Sequence, residues 1–409
     1  MIASHKRKII TSLDIGASQT RCFIAELQKS PPVKILGCGW APTKGIQKAG
    51  FVNMDELEDS IRKAVELAEK NALQRVQNLY VGVNLTHMHS RQTKLKMHLN
   101  GEATSYDKLR RMLNQGCKEL SANDTQLLHA MPVQYSIDDR NCEEPPIGVC
   151  GYTLAAMLHT LHIPQYEVQS LTQCFHSAHL EPLRFIATPY ASAIASLNAD
   201  ECKIGAVCLD IGAQSTAISI FYNELLQFAK AAPIGGENIT MDIAQCFSIS
   251  PEAAEKVKLR YGAAHLKPEH RHQEFEVPHI AEEGRVQKIN CEKLNRVIIA
   301  RMEDIFENVR NILTQTGLNP AIINRIVLTG GSAEMEGIEE LAANMLQAKT
   351  RTARPPQQPG QPETASSPAF SASIGMLLYA WKSRFDDAYG YGEEQSFAKR
   401  IKNWIFQHD

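Results

Sequence analysis

Apolar and polar positions alternate along this chain in two distinct rhythms. Ile9-Ile10-Thr11-Ser12-Leu13 and Cys22-Phe23-Ile24-Ala25 are short β-branched and apolar runs on either side of a Gly turn. Ala206-Val207-Cys208-Leu209 and Ala217-Ile218-Ser219-Ile220-Phe221 bracket a second. Each pair reads as a β-hairpin. Leu79 to Val83, Ile326 to Leu328, His89 to His98, Leu127 to Ile137 and Glu167 to Gln173 read as further strands. The helical rhythm appears at Leu57, Ile61, Val65 and Ala68, behind an N-cap at Asn53 with Glu56 as its capping-box partner. It returns over Tyr106 to Glu119 and Ile338 to Met345, and over Asn295 to Thr316, where Gly317 stops the helix. Thr188 to Ala195 and Ser371 to Trp381 are helices built from small residues, suited either to close backbone approach or to an ordinary Ala-rich core. Between these elements, Gly45 to Val52 reads as a loop and His265 to Lys288 as an exposed polar excursion. Pro355 to Pro368 reads as a flexible loop without a packing role, and Arg384 to Glu394 as an acidic linker.

Composition narrows the class more than the function. The 409 residues suffice for two or more domains, and 44% hydrophobic with 22% charged residues is ordinary for a globular chain. A net charge of −2 leaves no global footprint of a nucleic-acid binder, so none is expected as a partner. Ten cysteines without a C-x-x-C pair, and no signal peptide, point to reduced thiols in the cytosol. Among 14 histidines, His87/His89, His159/His162, His176/His179 and His270/His272 cluster, but none has the spacing of a zinc site. No apolar run reaches the roughly 18 residues that span a bilayer.

The candidate chemistry lies in the turns. Asp14-Ile15-Gly16-Ala17-Ser18-Gln19-Thr20 is matched by Asp210-Ile211-Gly212-Ala213-Gln214-Ser215-Thr216. Asp-x-Gly alone is common turn chemistry. Two copies, each opening its own half of the chain, point instead to paired nests of backbone N–H groups for phosphate oxygens. The leading aspartates suit a hydrated Mg²⁺, which keeps its waters and takes few carboxylates. Gly235-Gly236 stands ahead of a helix, a place for an anion. Glu255 and Lys258, three apart on a helix, make either a surface ion pair or contacts to ribose and base. Gly330-Gly331-Ser332 follows a buried strand and offers bare backbone to a flat ligand. Finally, Phe397, Ile401, Trp404 and Ile405 fall on one helical face while Lys399, Arg400 and Lys402 lie off it. Such a helix either packs on its own domain or lies in the plane of an anionic membrane, and the linker before it favours the membrane.

These motifs, in this order, resemble those of the actin/Hsp70 ATPase superfamily. The unit containing Leu128-His129-Ala130-Met131-Pro132-Val133-Gln134-Tyr135, then Pro146-Ile147-Gly148, is similar to the inserted subdomain of the FtsA family. Gly235-Gly236-Glu237-Asn238-Ile239-Thr240 and the terminal amphipathic stretch agree, so the likeness covers essentially the whole chain. It implies an α/β actin-like (ribonuclease H-like) ATPase fold, with two half-domains around a nucleotide cleft and no actin-type subdomain 1B. Subdomain 1A would comprise residues 1–83 and 166–204, the inserted 1C residues 84–165, and 2A residues 205–237 and 312–383 with a return to 1A. Subdomain 2B would be 238–311, followed by a linker at 384–394 and a membrane-targeting helix at 395–409.

The likeness further implies ATP and Mg²⁺ as cofactors, with Asp14 and Asp210 ordering the metal's waters. Gly16, Ala17 and Ser18 would cradle phosphates from one side and Gly212, Ala213, Gln214 and Ser215 from the other. Gly330, Gly331 and Ser332 would lie beneath the adenosine. By the same likeness the chain would polymerise on the cytoplasmic face of the inner membrane at midcell. There it would tether FtsZ filaments, holding the FtsZ C-terminal tail at 2B, and would bind other divisome proteins. A pilus-assembly scaffold and a sugar-kinase-like phosphotransferase are the alternatives. Two departures stand out: Ala213, Gln214 and Ala217 occupy places that are Gly-rich or acidic in many relatives, and Thr188 stands where hydrolysing relatives carry Gln or Glu. Tight ATP binding with slow or undetectable hydrolysis is the expectation.

Overall fold

The structure, a computed structural model, describes residues 8–28, 33–47, 50–51, 53–84, 86–120, 124–142, 144–278 and 286–387. The first Asp-Ile-Gly turn joins β1 (Ile9–Ile15) to β2 (Gln19–Leu27), antiparallel with Ile15 opposite Thr20, and β3 (Val33–Pro42) continues the meander. Where a plain loop is expected after Pro42, β4 (Ile46–Gln47) and β5 (Gly50–Phe51) form a two-residue ladder. Gly45, at φ 78°, turns the chain so that Asn53 N–H returns to its carbonyl at 3.1 Å. With that amide committed, the expected capping box is one-way. Asn53 Oδ1 accepts from the Asp55 and Glu56 amides at the head of α1 (Met54–Ala72). α1 buries Leu57, Ile61, Ala64, Val65 and Ala68, each large aliphatic contributing about 1.5–3 kcal/mol. β6 (Leu79–Val83), buried at every position, then pairs parallel to β1.

The insert follows. β7 (His89–His98), α2 (Tyr106–Leu120), β8 (Thr125–Ile137), β9 (Arg140–Cys142) and β10 (Thr153–Pro164) form a sheet in the order β7-β10-β8-β9 around Leu109, Leu113, Leu154 and Leu158. β10, paired on both sides, is buried on both faces with His159, Thr160 and His162 among its apolar residues, so no alternation marks it in the sequence. The strand expected over Glu167 to Gln173 is instead α3 (Gln165–Ser177). Val168, Leu171, Cys174 and Phe175 recur at helical spacing, and all four are buried. β11 (Pro182–Ala187) returns to the first sheet, parallel to β6.

α4 (Thr188–Ser196) and α5 (Ala199–Ile204) lead into the second half. There β12 (Ala206–Ile211), β13 (Thr216–Tyr222) and β14 (Leu225–Ala232) repeat the meander. α6 (Gly236–Phe247) and α7 (Pro251–Tyr261) follow, with Ser250 capping α7. The polar stretch His265 to Lys288 is more than an exposed excursion. β15 (Glu274–Pro278) pairs antiparallel with β16 (Val286–Asn290), burying Phe275, Val277 and Ile289. Asn290 then caps α8 (Cys291–Gln315), which begins four residues before the apolar stripe suggests. β17 (Arg325–Thr329), α9 (Ile338–Leu346), β18 (Lys349–Thr352) and α10 (Ser371–Asp387) complete the described chain.

The two large sheets run β11-β6-β1-β2-β3 and β14-β13-β12-β17-β18. In each, three antiparallel strands continue into two parallel ones. The repeat of sequence is thus a repeat of topology.

Pro355 to Pro368 is not a loop free of packing. Ile35 N–H bonds the Pro359 carbonyl at 2.8 Å, so the segment covers the edge of β3. Gln358, Gln361 and Ala365 are buried, with Gln361 Oε1 accepting from the Gln358 amide and its Nε2 donating to the Ala365 carbonyl. Nor does Arg384 begin a linker, since α10 continues through Asp387. The amphipathic stretch Phe397 to Ile405 lies outside the described residues.

Candidate nucleotide cleft

Both Asp-Ile-Gly turns open onto one cleft of about 740 Å³ between the repeated sheets. Each turn closes with the same bond: Gly16 N–H to the Gln19 carbonyl at 3.1 Å, and Gly212 N–H to the Ser215 carbonyl at 2.9 Å. Ala17, Ser18, Ala213 and Gln214 therefore stand at the tips, on the cleft wall. Asp14 and Asp210 are the penultimate residues of β1 and β12, and both line the cleft.

The two small-residue helices brace those carboxylates crosswise. Ser192 on α4, from the first half, donates to Asp210 Oδ2 in the second. Ser373 on α10, reached after the second half, donates to Asp14 Oδ2 in the first, at 3.4 Å. The helices cross closely enough that a Cβ on Gly375 would lie 1.9 Å from the Ala191 carbonyl oxygen. Gly330, at φ 86°, is equally constrained, since a Cβ there would meet Asp210 Oδ1 at 2.3 Å.

Arg21, on β2, was not legible as a site residue. Its guanidinium lies on the cleft, 3.4 Å from Asp14 Oδ2 and over the Phe370 ring at 5.2 Å, with its Nε buried and unpartnered. Burial raises the Asp14 carboxyl above its ordinary range, and the Arg21 charge offsets part of that rise. Asp210 is pushed up to about 6, first by burial and then by the Asp14 charge, against the Ser192 hydrogen bond. Two carboxylates line one cleft, and burial favours their neutral forms. The pair fits a hydrated divalent ion shared through water.

The remaining expected residues divide. Gly330, Gly331, Ser332 and Gly236 line the cleft with Glu255 and Lys258, whereas Gly235 does not. The Gly235-Gly236 step is not an open anion site. The Gly236 and Glu237 amides bond the Gly212 and Ala213 carbonyls at 2.9 and 2.7 Å, pinning α6 to the second turn. A Cβ on Gly235 would meet the Gly212 carbonyl at 2.6 Å, so its role is close approach. Glu255 and Lys258 do form the expected i,i+3 ion pair, and Lys258 makes further bonds from it. The Lys258 side chain is 10% exposed, and the ammonium bonds Gly236 O, Thr240 Oγ1 and Glu255 at 3.0, 2.8 and 2.7 Å, tying α6 to α7 at the cleft wall. Glu255 is 44% exposed on the side chain and remains open to the cleft. Thr188 lines the cleft but is buried, its hydroxyl committed to the Val83 carbonyl at 3.3 Å.

Comparison with known proteins places this architecture. The family described as "Cell division protein FtsA" matches residues 207–375, and the "SHS2 domain inserted in FTSA" matches residues 86–162. The cell division protein FtsA of Agrobacterium fabrum is 30% identical over 390 residues, covering 92% of this chain and 88% of its own. That of Pseudomonas aeruginosa is 26% identical over 99% of both chains. Among solved structures, a PilM–PilN type IV pilus biogenesis complex superposes with a TM-score of 0.65 at 16% identity, covering 92% of this chain and 99% of that one. MreB5 of Spiroplasma citri bound to ADP gives 0.57 at 12%, covering 94% and 99%. The structural likenesses establish the actin-like fold, and the sequence relatives carry the function. By its identity to these relatives over nine-tenths of its length, this chain belongs to the FtsA family of actin-like cell-division proteins.

Proposed function

We propose that the cleft binds ATP with Mg²⁺, and that the bound state governs a scaffold linking FtsZ filaments to the membrane. The observation that carries the nucleotide reading is the pair of Asp-Ile-Gly turns facing one another across the cleft, each with an acidic residue lining it. Asp14 and Asp210 would hold the metal's waters. The tips at Gly16–Ser18 and Gly212–Ser215 would receive phosphate oxygens, with Arg21 supplying a fixed positive charge beside them. Gly330, Gly331 and Ser332 would support the adenosine, with Glu255 at the ribose, while Lys258 and Gly235–Gly236 hold the wall. Mg²⁺, when bound, would neutralise phosphate charge that the turns alone leave exposed. The MreB5 neighbour solved with ADP has the same fold, which supports this reading.

The partner reading rests on family membership. It assigns the FtsZ tail to the region 238–311, self-association to open head-to-tail contacts, and membrane attachment to Phe397, Lys399, Arg400, Ile401, Lys402, Trp404 and Ile405. Subdomain boundaries follow those given from the sequence, with the insert at 84–165 docking further divisome proteins. The test is an equilibrium titration of ATP with and without Mg²⁺. The wild-type chain should bind, more tightly with the metal, and Asp210→Ala should lose binding while retaining its circular-dichroism spectrum. Equal affinity in the variant would remove the metal role.

A further inference from the structure

The same cleft wall carries a further group of polar side chains, to which the nucleotide reading gives no role. The loop after β6 carries Asn84, Thr86 and His87 along the cleft wall, and α3 brings Glu167 up beside them. Asn84 Nδ2 donates to Ser215 Oγ at 3.0 Å, which fixes this loop against the second phosphate turn. His87 Nδ1 lies 2.8 Å from Glu167 Oε1, which also accepts from the Tyr166 hydroxyl at 3.3 Å. The Glu167 side chain is 5% exposed and the His87 ring 50%. An ionised carboxylate can only accept, so in this pair Nδ1 is the donor and a neutral imidazole would carry its lone pair on Nε2. The arrangement is that of a half-exposed base oriented by a buried acid. Two buried oxygens here, Asn84 Oδ1 and Glu167 Oε2, have no protein partner, and ordered water is what satisfies such atoms.

We infer that His87, oriented by Glu167, is the general base for hydrolysis of the terminal phosphoanhydride, supplying from the insert's first loop what Thr188 does not. This rests on the nucleotide reading above. In the step, a water oxygen bonds the γ-phosphorus as the β–γ bridging P–O bond breaks. The electron pair leaves with ADP, and the water proton passes to His87 Nε2. Water is the only co-reactant. His87 is the catalytic residue and Glu167 a positioning residue.

Single-turnover phosphate release by the full chain tests the step, with ATP affinity measured on the same samples. His87→Ala should bind ATP as the wild type does and lose hydrolysis by about a hundredfold, the scale of a positioned base. Free imidazole added to His87→Ala should restore part of the rate, which a merely structural histidine would not allow. Glu167→Ala should lower the rate with unchanged affinity, and Glu167→Gln, which still accepts from Nδ1–H, should recover much of it. Wild-type protein that binds ATP but releases no phosphate, or a His87→Ala chain that matches it, overturns the assignment. Absence of ATP binding by the wild type would instead defeat the nucleotide reading, and this one with it.

Discussion

Asp210 is where the cleft's electrostatics can be measured most directly. Its carboxyl is raised from an ordinary 3.8 to about 6, first by burial and then by the charge of Asp14. A group that holds its proton more tightly folded than unfolded stabilises the fold fully below its unfolded value, and loses that contribution as pH rises through its folded value. The nucleotide-free protein should therefore lose stability on Asp210's account between about pH 4 and pH 6. Asp210→Asn keeps an acceptor for Ser192 and removes the charge. It should melt above the wild type near neutral pH, with a flatter pH profile by calorimetry. A lower melting temperature there, with the slope intact, would contradict the electrostatic account. The sequence displayed Asp14 and Asp210 because each opens a copy of the same turn. It could not display Ser373, which reaches Asp14 across 359 positions, or the pairing of His87 with Glu167 across 80. Arg21 was hidden differently, as one more polar position on an alternating strand.

At the scale of elements, the amphipathic helices were legible because one face is buried and the other wet, and the hairpin strands because continuous apolar runs, buried on both faces, bracket a Gly turn. α3 and β10 were not, for different reasons. The window Glu167 to Gln173 spans only two helical turns, too few for its period to be distinguished from alternation. β10 is buried on both faces like the strands of the doubled hairpin, but buried His159, Thr160 and His162 break its apolar run. The segment from Pro355 to Pro368 misled by composition: its proline and glutamine content is that of a flexible linker, yet it seals the β3 edge and buries Gln361 with both amide atoms bonded. Gln361→Ala would leave the Gln358 amide and the Ala365 carbonyl without these partners. It should lower unfolding stability by about 2 kcal/mol, within the cost of stranding buried polar groups, as read by urea titration. A change indistinguishable from zero would mean that the segment is held by the Ile35–Pro359 contact alone.

At the scale of the molecule, the doubled turn foretold a doubled sheet, and both sheets have the same strand order. What it could not foretell is how the insert sits. Gln92 Nε2 bonds the Gln227 carbonyl and the Ala229 amide donates to Ser90 Oγ, so the insert bridges to β14 of the second half, a contact that only the assembled fold creates. The same reasoning from assembly bears on the membrane. Lys399, Arg400 and Lys402 would each contribute about 1 kcal/mol near anionic lipid, with apolar burial by Phe397, Ile401, Trp404 and Ile405 added to it. On the proposed function, one such segment would hold weakly, whereas copies linked in a filament would share an effective concentration and hold far better. Binding to anionic vesicles should therefore rise more steeply than in proportion to protein concentration, and should weaken as added salt screens the cationic face. Trp404→Glu puts a charge on the apolar stripe and should leave the protein in the supernatant when vesicles are pelleted, with ATP affinity unchanged. If Trp404→Glu pellets with the vesicles as the wild type does, the anchor lies elsewhere in the chain. If binding is lost but the wild type shows no steepness with concentration, a single segment suffices and polymerisation plays no part in attachment.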